Sequence, residues 1–495
     1  MSLESPSSRT HVAVFWAFVA ALGVRLGIAI LAPVINSDGP LYLTQAETLL
    51  RGDFSRALFD HNYAPATGAL ISVALFLGLP PELAGRLVCV LAGALAVFPL
   101  HALARRAFSA PVAAAGVFLY AFAPVPAHLS AAVLTTGPFL FVSLLALGLS
   151  AQLRETPRAW TALLAGTAVA IAYATRADGL VLLPFAVAAG LFARGRGRGA
   201  RVLLALLAVA PAVAAAAIYV RMGGASITHK LDATEWERFL ALALPSRYVL
   251  GLMWEDLGEA IFLPLVPFAV LGLAARAKGG DRVLRIACLV LVAVWAVVLM
   301  RYAWATGAMS KRYTTPLAVL LLPWAAAGLM HAAEWCAARM AVGARGKAWA
   351  CALAVWIACV ACVPKLLRTH DGDRLVEKAA GLFLKDQPGP RSAVLCGSTC
   401  VPFYSGLPPA PIVLATYPPD RAFSELRRRG VTYVVKDRGL EALAPEFVKA
   451  LQAPRVTPLG RITVSGSDDV LEVFRLTGRP PRKPHGPQAV PGDGR

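Results

Sequence analysis

Stretches of about twenty apolar residues recur from Val12 to Pro364, long enough for a helix to cross the hydrocarbon core of a bilayer. A spanning segment must satisfy its own backbone, so each such stretch is constrained to be helical. The pattern predicts about eleven spans, at 12–34, 83–103, 110–127, 135–152, 159–175, 179–193, 202–220, 257–275, 284–301, 315–331 and 348–364. An apolar content of 57% over 495 residues agrees: this is a polytopic α-helical membrane protein. The first stretch is long, carries Arg25 and lacks a small-x-small cleavage pattern, so it reads as a retained anchor. Facing lipid, Arg25 would be costly; it is expected to turn inward, against a backbone carbonyl or a carboxylate.

The net charge of +19 would suggest nucleic acid if the cations were not placed as they are. They gather in alternate short loops: Arg105-Arg106, Arg154 with Arg158, the run from Arg194 to Arg201, Arg276 to Arg285, and Arg339 to Lys347. That asymmetry follows the positive-inside rule, so the charge orients the chain and implies no nucleic-acid partner. It puts the N-terminus in the cytoplasm and residues 365–495 outside, in a multi-pass protein of the inner (cytoplasmic) membrane. Segment 64–79 would invert every later loop if it crossed, and is expected to lie at the outer interface or re-enter. The outer loops are then 35–81, a short one near 124–134, Arg176 to Asp178, 221–256 and 302–314, with an amphipathic helix over 41–50.

Beyond Pro364 the composition shifts to mixed charged and apolar residues, which divides the chain into a membrane domain, 1–370, and a soluble domain, 371–478. Helical patterns at 374–385, 420–429 and 440–451 alternate with strands at 393–396, 431–435 and 470–476, predicting a small extracytoplasmic α/β domain. Residues 479–495, rich in Pro, Gly and basic residues, read as a disordered tail. Six of the eight cysteines lie in or beside spans, whereas Cys396 and Cys400 fall in the soluble domain, where an oxidising compartment would permit a disulfide. The Cys396-Gly-Ser-Thr-Cys400 string lacks the spacing of a phosphate loop, and no histidine–cysteine metal pattern is present.

Four outer pieces carry the chemistry. They are Asp38 with Tyr42, His61-Asn62-Tyr63, Thr175-Arg176-Ala-Asp178-Gly179, and Ser310-Lys311-Arg312-Tyr313. A carboxylate and several cations at head-group level suit a phosphate-bearing lipid: cations hold the phosphate and the carboxylate handles a proton. Structural roles stand beside that one. Asp38 can cap the following helix, Arg176 and Asp178 can pair at a reversal, and Lys311 and Arg312 can sit at the interface like any head-group cations.

The order of these strings resembles the integral-membrane GT-C glycosyltransferases, in particular the bacterial branch related to protein O-mannosyltransferases and the lipid A aminoarabinose transferase. The resemblance rests on Ser37-Asp38-Gly-Pro-Leu-Tyr42, Ala46-Glu-Thr-Leu-Leu-Arg-Gly52-Asp, Leu164-Ala-Gly166, Thr175-Arg176-Ala-Asp178-Gly179-Leu180, Lys311-Arg312-Tyr313-Thr-Thr-Pro316 and Gly430-Val-Thr-Tyr433. It implies a GT-C-like membrane domain that transfers a hexosyl or pentosyl sugar from a polyprenyl-phosphate donor to an envelope acceptor (lipid, glycan or protein) on the outer face. Asp38 then maps to the catalytic carboxylate, acting as general base in an inverting displacement. Arg176, Lys311 and Arg312 are assigned to the leaving phosphate, and Tyr42, His61, Asp178 and Tyr313 to substrate binding. Relatives often carry an acidic residue after the catalytic aspartate and Arg-Pro-Glu-Gly at the later turn. Here these are Gly39 and Arg176-Ala177-Asp178-Gly179, so no cofactor is expected and a divalent metal is left open. The soluble domain is expected to cover the outer face and help recognise the acceptor. A lipid or glycolipid flippase is the competing class, and a lipid-binding scaffold a third; a transporter would place charges deep within several spans or show internal repeats.

Overall fold

The computed structural model describes residues 6–59, 64–221, 237, 247–275, 279–307, 309–368, 374–387, 393–451, 456–464 and 469–476. His61, most of the 221–256 loop and the 479–495 tail lie outside the described residues. The chain forms two compact units: one of Met1–Ala32 with Leu41–Thr369, the other of Pro33–Pro40 with His370–Arg495. The segment around Asp38 thus belongs to the second unit, although it follows directly on the first span.

Among the described residues of the first unit, seven helices are long and apolar enough to cross a membrane, and up to nine if each of two bent pairs is one span. With the shorter apolar helices Ala159–Thr175 and Ala177–Leu191, every segment expected from hydropathy has its helical counterpart. Pro65–Phe76, the segment expected at the interface, is a helix of 12 residues. Proline explains both bends. Ahead of Pro124, Ala123 is pushed out of the helical region to φ −61°, ψ 117°, and Ala110–Phe122 meets Pro124–Ala131 at 57°. Pro264 has no N–H to continue Arg247–Ile261, and that helix turns by 88° into Leu263–Ala274 through Phe262 at φ 76°. The expected span at 257–275 is therefore broken.

Burial orders the helices. In Thr136–Glu155 and Lys311–Arg339, 72% of the apolar window is buried, against 22% in the first and last spans, so these two helices form the centre. Lys311–Arg339 is crossed so closely by Leu263–Ala274 that a Cβ on Gly328 would lie 1.9 Å from the Phe268 carbonyl oxygen. Only a glycine fits there, the small-residue contact expected where lipid gives helices no hydrophobic reason to associate. Arg25 turns inward as expected. It is fully buried, its Nε donates to Ser130 Oγ at 2.7 Å, Nη1 reaches the Ala21 carbonyl at 3.2 Å, and the guanidinium lies 4.6 Å from the Tyr120 ring centroid.

One end of this bundle is tied by the arginine-rich loops. Asp281 accepts from Arg154 at 2.5 Å and Arg194 at 2.9 Å, while its other oxygen caps Arg282–Thr306 through the Val283 and Leu284 amides. Arg106 pairs with Glu155 at 3.2 Å beside it. The arginine-rich loops are thus fastened to one another by ion pairs.

Among its described residues the second unit holds a four-stranded sheet of order β1-β2-β4-β3, with β1 (Ala393–Leu395) parallel to β2 (Val431–Lys436) and both β2 and β3 (Val456–Ile462) antiparallel to β4 (Leu471–Leu476). One core joins Leu395, Val434 and Phe474 to Phe423 and Leu426 of Pro419–Arg428 and Phe447 of Pro445–Ala450. The other joins Tyr433, Val435 and Val473 to Val376, Ala380 and Leu384 of Leu375–Lys385. Both faces are covered, as an α/β layer requires. β3 was not expected from the sequence, since Pro458 and Gly460 interrupt it; it survives because it is an edge strand whose register shifts between those residues. The helix expected at 440–451 is split by Pro445 into Arg438–Leu443 and Pro445–Ala450.

Candidate active site

In the membrane unit the expected cations assemble around the first turn of Lys311–Arg339. Pro316 has no N–H for the Arg312 carbonyl four residues back. Arg176 supplies the missing donor, its Nη1 lying 2.8 Å from that oxygen. The same guanidinium grips Asp178 in a fork, Nε to Oδ1 at 3.1 Å and Nη2 to Oδ2 at 2.7 Å. It also lies between two rings, 4.4 Å from the Phe139 centroid and 5.0 Å from that of Tyr313. The turn that aims it depends on Gly179, where a Cβ would come 2.5 Å from the Ala172 carbonyl carbon. Arg176 is buried and its charge is matched by Asp178, so it fixes Arg312 and Tyr313 in place. The Arg312 guanidinium lies 5.3 Å from the Tyr313 ring centroid.

One residue before Arg312, Lys311 is half-exposed. Its Nζ lies 2.5 Å from Glu259 Oε2, and Lys365 approaches the same oxygen at 3.7 Å. Two lysines from the ends of two different helices thus share one carboxylate, a place that attracts an oxyanion and is now filled by a side chain. Lys365 and Glu259 were not among the residues expected from the sequence. Lys365 looked like the ordinary basic end of a span, and Glu259 lies inside the expected span 257–275; only the break at Phe262 leaves it near a helix end. Tyr42 is buried within Gly39–Leu50.

In the second unit Asp38 is half-buried at the position before Gly39–Leu50. Asn36 builds its turn: the Asn36 side-chain oxygen accepts from the Asp38 amide at 3.2 Å, and its carbonyl from the Gly39 amide at 2.8 Å. Cys396 and Cys400 are free thiols, both buried, and no disulfide joins them. Burial pushes the Cys400 thiol up to about 12 and the Cys396 thiol well above the ordinary thiol range, which leaves both poor nucleophiles. Among the described residues no three His, Cys, Asp or Glu side chains converge as metal ligands.

Residues 60–220 match the family model described as dolichyl-phosphate-mannose-protein mannosyltransferase. No curated protein matches the sequence. Among solved structures, ArnT from Cupriavidus metallidurans, bound to undecaprenyl phosphate, is 15% identical with a TM-score of 0.63, over 95% of this chain and 98% of that one. The oligosaccharyltransferase AglB from Archaeoglobus fulgidus, in complex with an inhibitory peptide and a dolichol-phosphate, is 12% identical with a TM-score of 0.57, over 93% and 74%. The arabinofuranosyltransferase AftD from mycobacteria is 17% identical with a TM-score of 0.51, over 94% and 42%. The chain thus shares the fold of these membrane glycosyltransferases, and over residues 60–220 it is similar to the protein mannosyltransferase family.

Proposed function

We propose that this protein transfers a sugar from a polyprenyl-phosphate donor to an envelope acceptor at the outer face of the cytoplasmic membrane, with inversion at the anomeric carbon. The observation that carries the reading is the pair Lys311 and Lys365 closed on one carboxylate, at the bundle end that also holds Arg176 and Arg312. By the charge rule this is the outer end, since the arginine-rich loops gather at the other. A lipid phosphate arriving there would replace Glu259 as the lysines' partner. The polyprenyl phosphates in the ArnT and AglB structures support the same class of donor.

The chemistry needs few groups. The acceptor hydroxyl oxygen attacks the anomeric carbon, the bond to the phosphate oxygen breaks, and its electron pair leaves with the lipid phosphate. Asp38 takes the hydroxyl proton as the new bond forms. Lys311, Lys365 and Arg312 offset the charge that grows on the leaving phosphate. Arg176, engaged by Asp178 and the Arg312 carbonyl, acts by positioning Arg312.

Purified protein in proteoliposomes, given polyprenyl-phosphate sugars labelled in the sugar, tests the reading. Release of labelled sugar to an envelope extract, with free polyprenyl phosphate as co-product, is the expected outcome. Movement of intact donor between leaflets without sugar release would instead identify a flippase.

A further inference from the structure

The segment joining the first span to Gly39–Leu50 is irregular backbone, whose polar groups must find partners outside any helix or strand. They find them on the C-terminal domain. Lys378 Nζ donates to the Pro33 carbonyl at 2.7 Å. The Ile35 amide donates to Tyr404 Oη at 3.3 Å, and the Cys400 thiol approaches the Ile35 carbonyl at 3.8 Å. Thr399 Oγ1 donates to the carbonyl of Ser37, the residue before Asp38. Val34 and Ile35 are buried. Four side chains from about 360 residues away in sequence thus hold the backbone up to the peptide that precedes Asp38.

The holding residues are themselves fixed. Asp437, at the end of β2, accepts from the Gly397 amide at 2.7 Å and the Ser398 amide at 2.8 Å through one oxygen, and caps Arg438–Leu443 through the other. Gly397 must be glycine, because a Cβ there would lie 2.6 Å from the Asp437 carboxylate. Glu377 also interacts with Ser398 and Cys400, and burial raises its carboxyl above the usual value. Asp437 therefore staples the start of the Gly397–Cys400 loop, and that loop presents Thr399 and Cys400 to the segment before Asp38. The Cys396-Gly-Ser-Thr-Cys400 string, which no phosphate-loop reading explains, has this as its use.

We infer that the C-terminal domain is a positioning device for Asp38, with Thr399, Tyr404 and Lys378 as positioning residues that set the carboxylate's orientation through the Pro33–Ser37 backbone. The inference rests on the proposed role of Asp38 as the base. A positioned carboxylate loses rate steeply when it shifts by about 1 Å, by roughly 100-fold in kcat, while donor binding is untouched.

The test uses the full-length protein in proteoliposomes with the variants Thr399→Val, Tyr404→Phe and their combination, alongside Thr399→Ser and Asp38→Asn. Hydrogen exchange of the 34–40 peptide should accelerate at least tenfold in the combined variant, while the β2 and β4 amides stay protected. Its kcat should fall tenfold or more with donor KM within twofold, and Thr399→Ser should restore it. If the combined variant loses protection throughout the domain, the two single variants decide, each expected to lower kcat by a graded amount at constant KM. Wild-type kcat in both singles, or an unchanged exchange rate in a folded combined variant, overturns the inference. Transfer by Asp38→Asn would defeat the general-base reading and the positioning inference with it, whereas a dead Asp38→Asn beside fully active clamp variants would defeat the positioning inference alone.

Discussion

The Arg176 guanidinium donates at 2.8 Å to the Arg312 carbonyl, which Pro316 leaves without its helical donor. An arginine at one turn thus completes the first turn of another helix, and a proline creates the vacancy it fills. Arg176→Ala should therefore destabilise the protein by about 3–5 kcal/mol, because Asp178 is left as an unpaired, largely buried charge. Pro316→Ala should recover part of that loss by returning an N–H to the Arg312 carbonyl. A double-mutant cycle on thermal unfolding in detergent reads the coupling, expected at roughly 0.5–3 kcal/mol; purely additive effects would count against the bond.

Lys311 and Lys365 share the Glu259 carboxylate. Glu259→Gln should lower the donor KM by about fivefold, since an incoming phosphate no longer competes with a charge. Lys365→Met should raise KM by about fivefold, or roughly 1 kcal/mol. Steady-state kinetics with a lipid-linked sugar separates the two, and an unchanged KM in both would remove the lysines from donor binding.

At the arginine-rich end, Asp281 joins Arg154 and Arg194 and caps a long helix. Burial acts to raise its carboxyl, but the hydrogen bonds from Arg154 and the Leu284 and Val283 amides outweigh it and hold the group below its usual value of 3.8. A lowered carboxyl stabilises the fold above 3.8, and that contribution is lost as pH falls below 3.8 through the folded value. Asp281→Asn should flatten the decline in apparent Tm measured below pH 4, and Asp281→Ala should cost about 2–4 kcal/mol at neutral pH.

Among the described residues Arg25 has no carboxylate within salt-bridge distance, and its Nη2 has no hydrogen-bond partner. A buried charge held only by a hydroxyl, carbonyls and a ring gains little over a well-packed apolar side chain. Arg25→Met should retain or raise the unfolding temperature, and Arg25→Ala should lower it through the cavity left behind.

The membrane helices were legible because twenty-residue apolarity is a local property and the bilayer leaves one solution for it. The breaks at Ala123 and Phe262 were written in Pro124 and Pro264, yet hydropathy averages over them, so 257–275 read as one span. Arg176 and Asp178 were visible as a charged turn; that the arginine's donors go to Asp178 and Arg312 depends on a contact 136 residues apart in sequence. Lys365 was hidden because a basic residue at a span end is common. The attachment of Pro33–Ser37 to Thr399 and Tyr404 had no sequence signal at all, since it is made by backbone groups that every residue carries.

In the proposed reaction Asp38 removes the proton of the acceptor hydroxyl. Transfer of labelled sugar from a polyprenyl-phosphate donor by Asp38→Asn protein in proteoliposomes tests it most directly. A kcat at least 100-fold below that of the wild type, with donor binding and unfolding temperature unchanged, is the predicted result; transfer at the wild-type rate would contradict it.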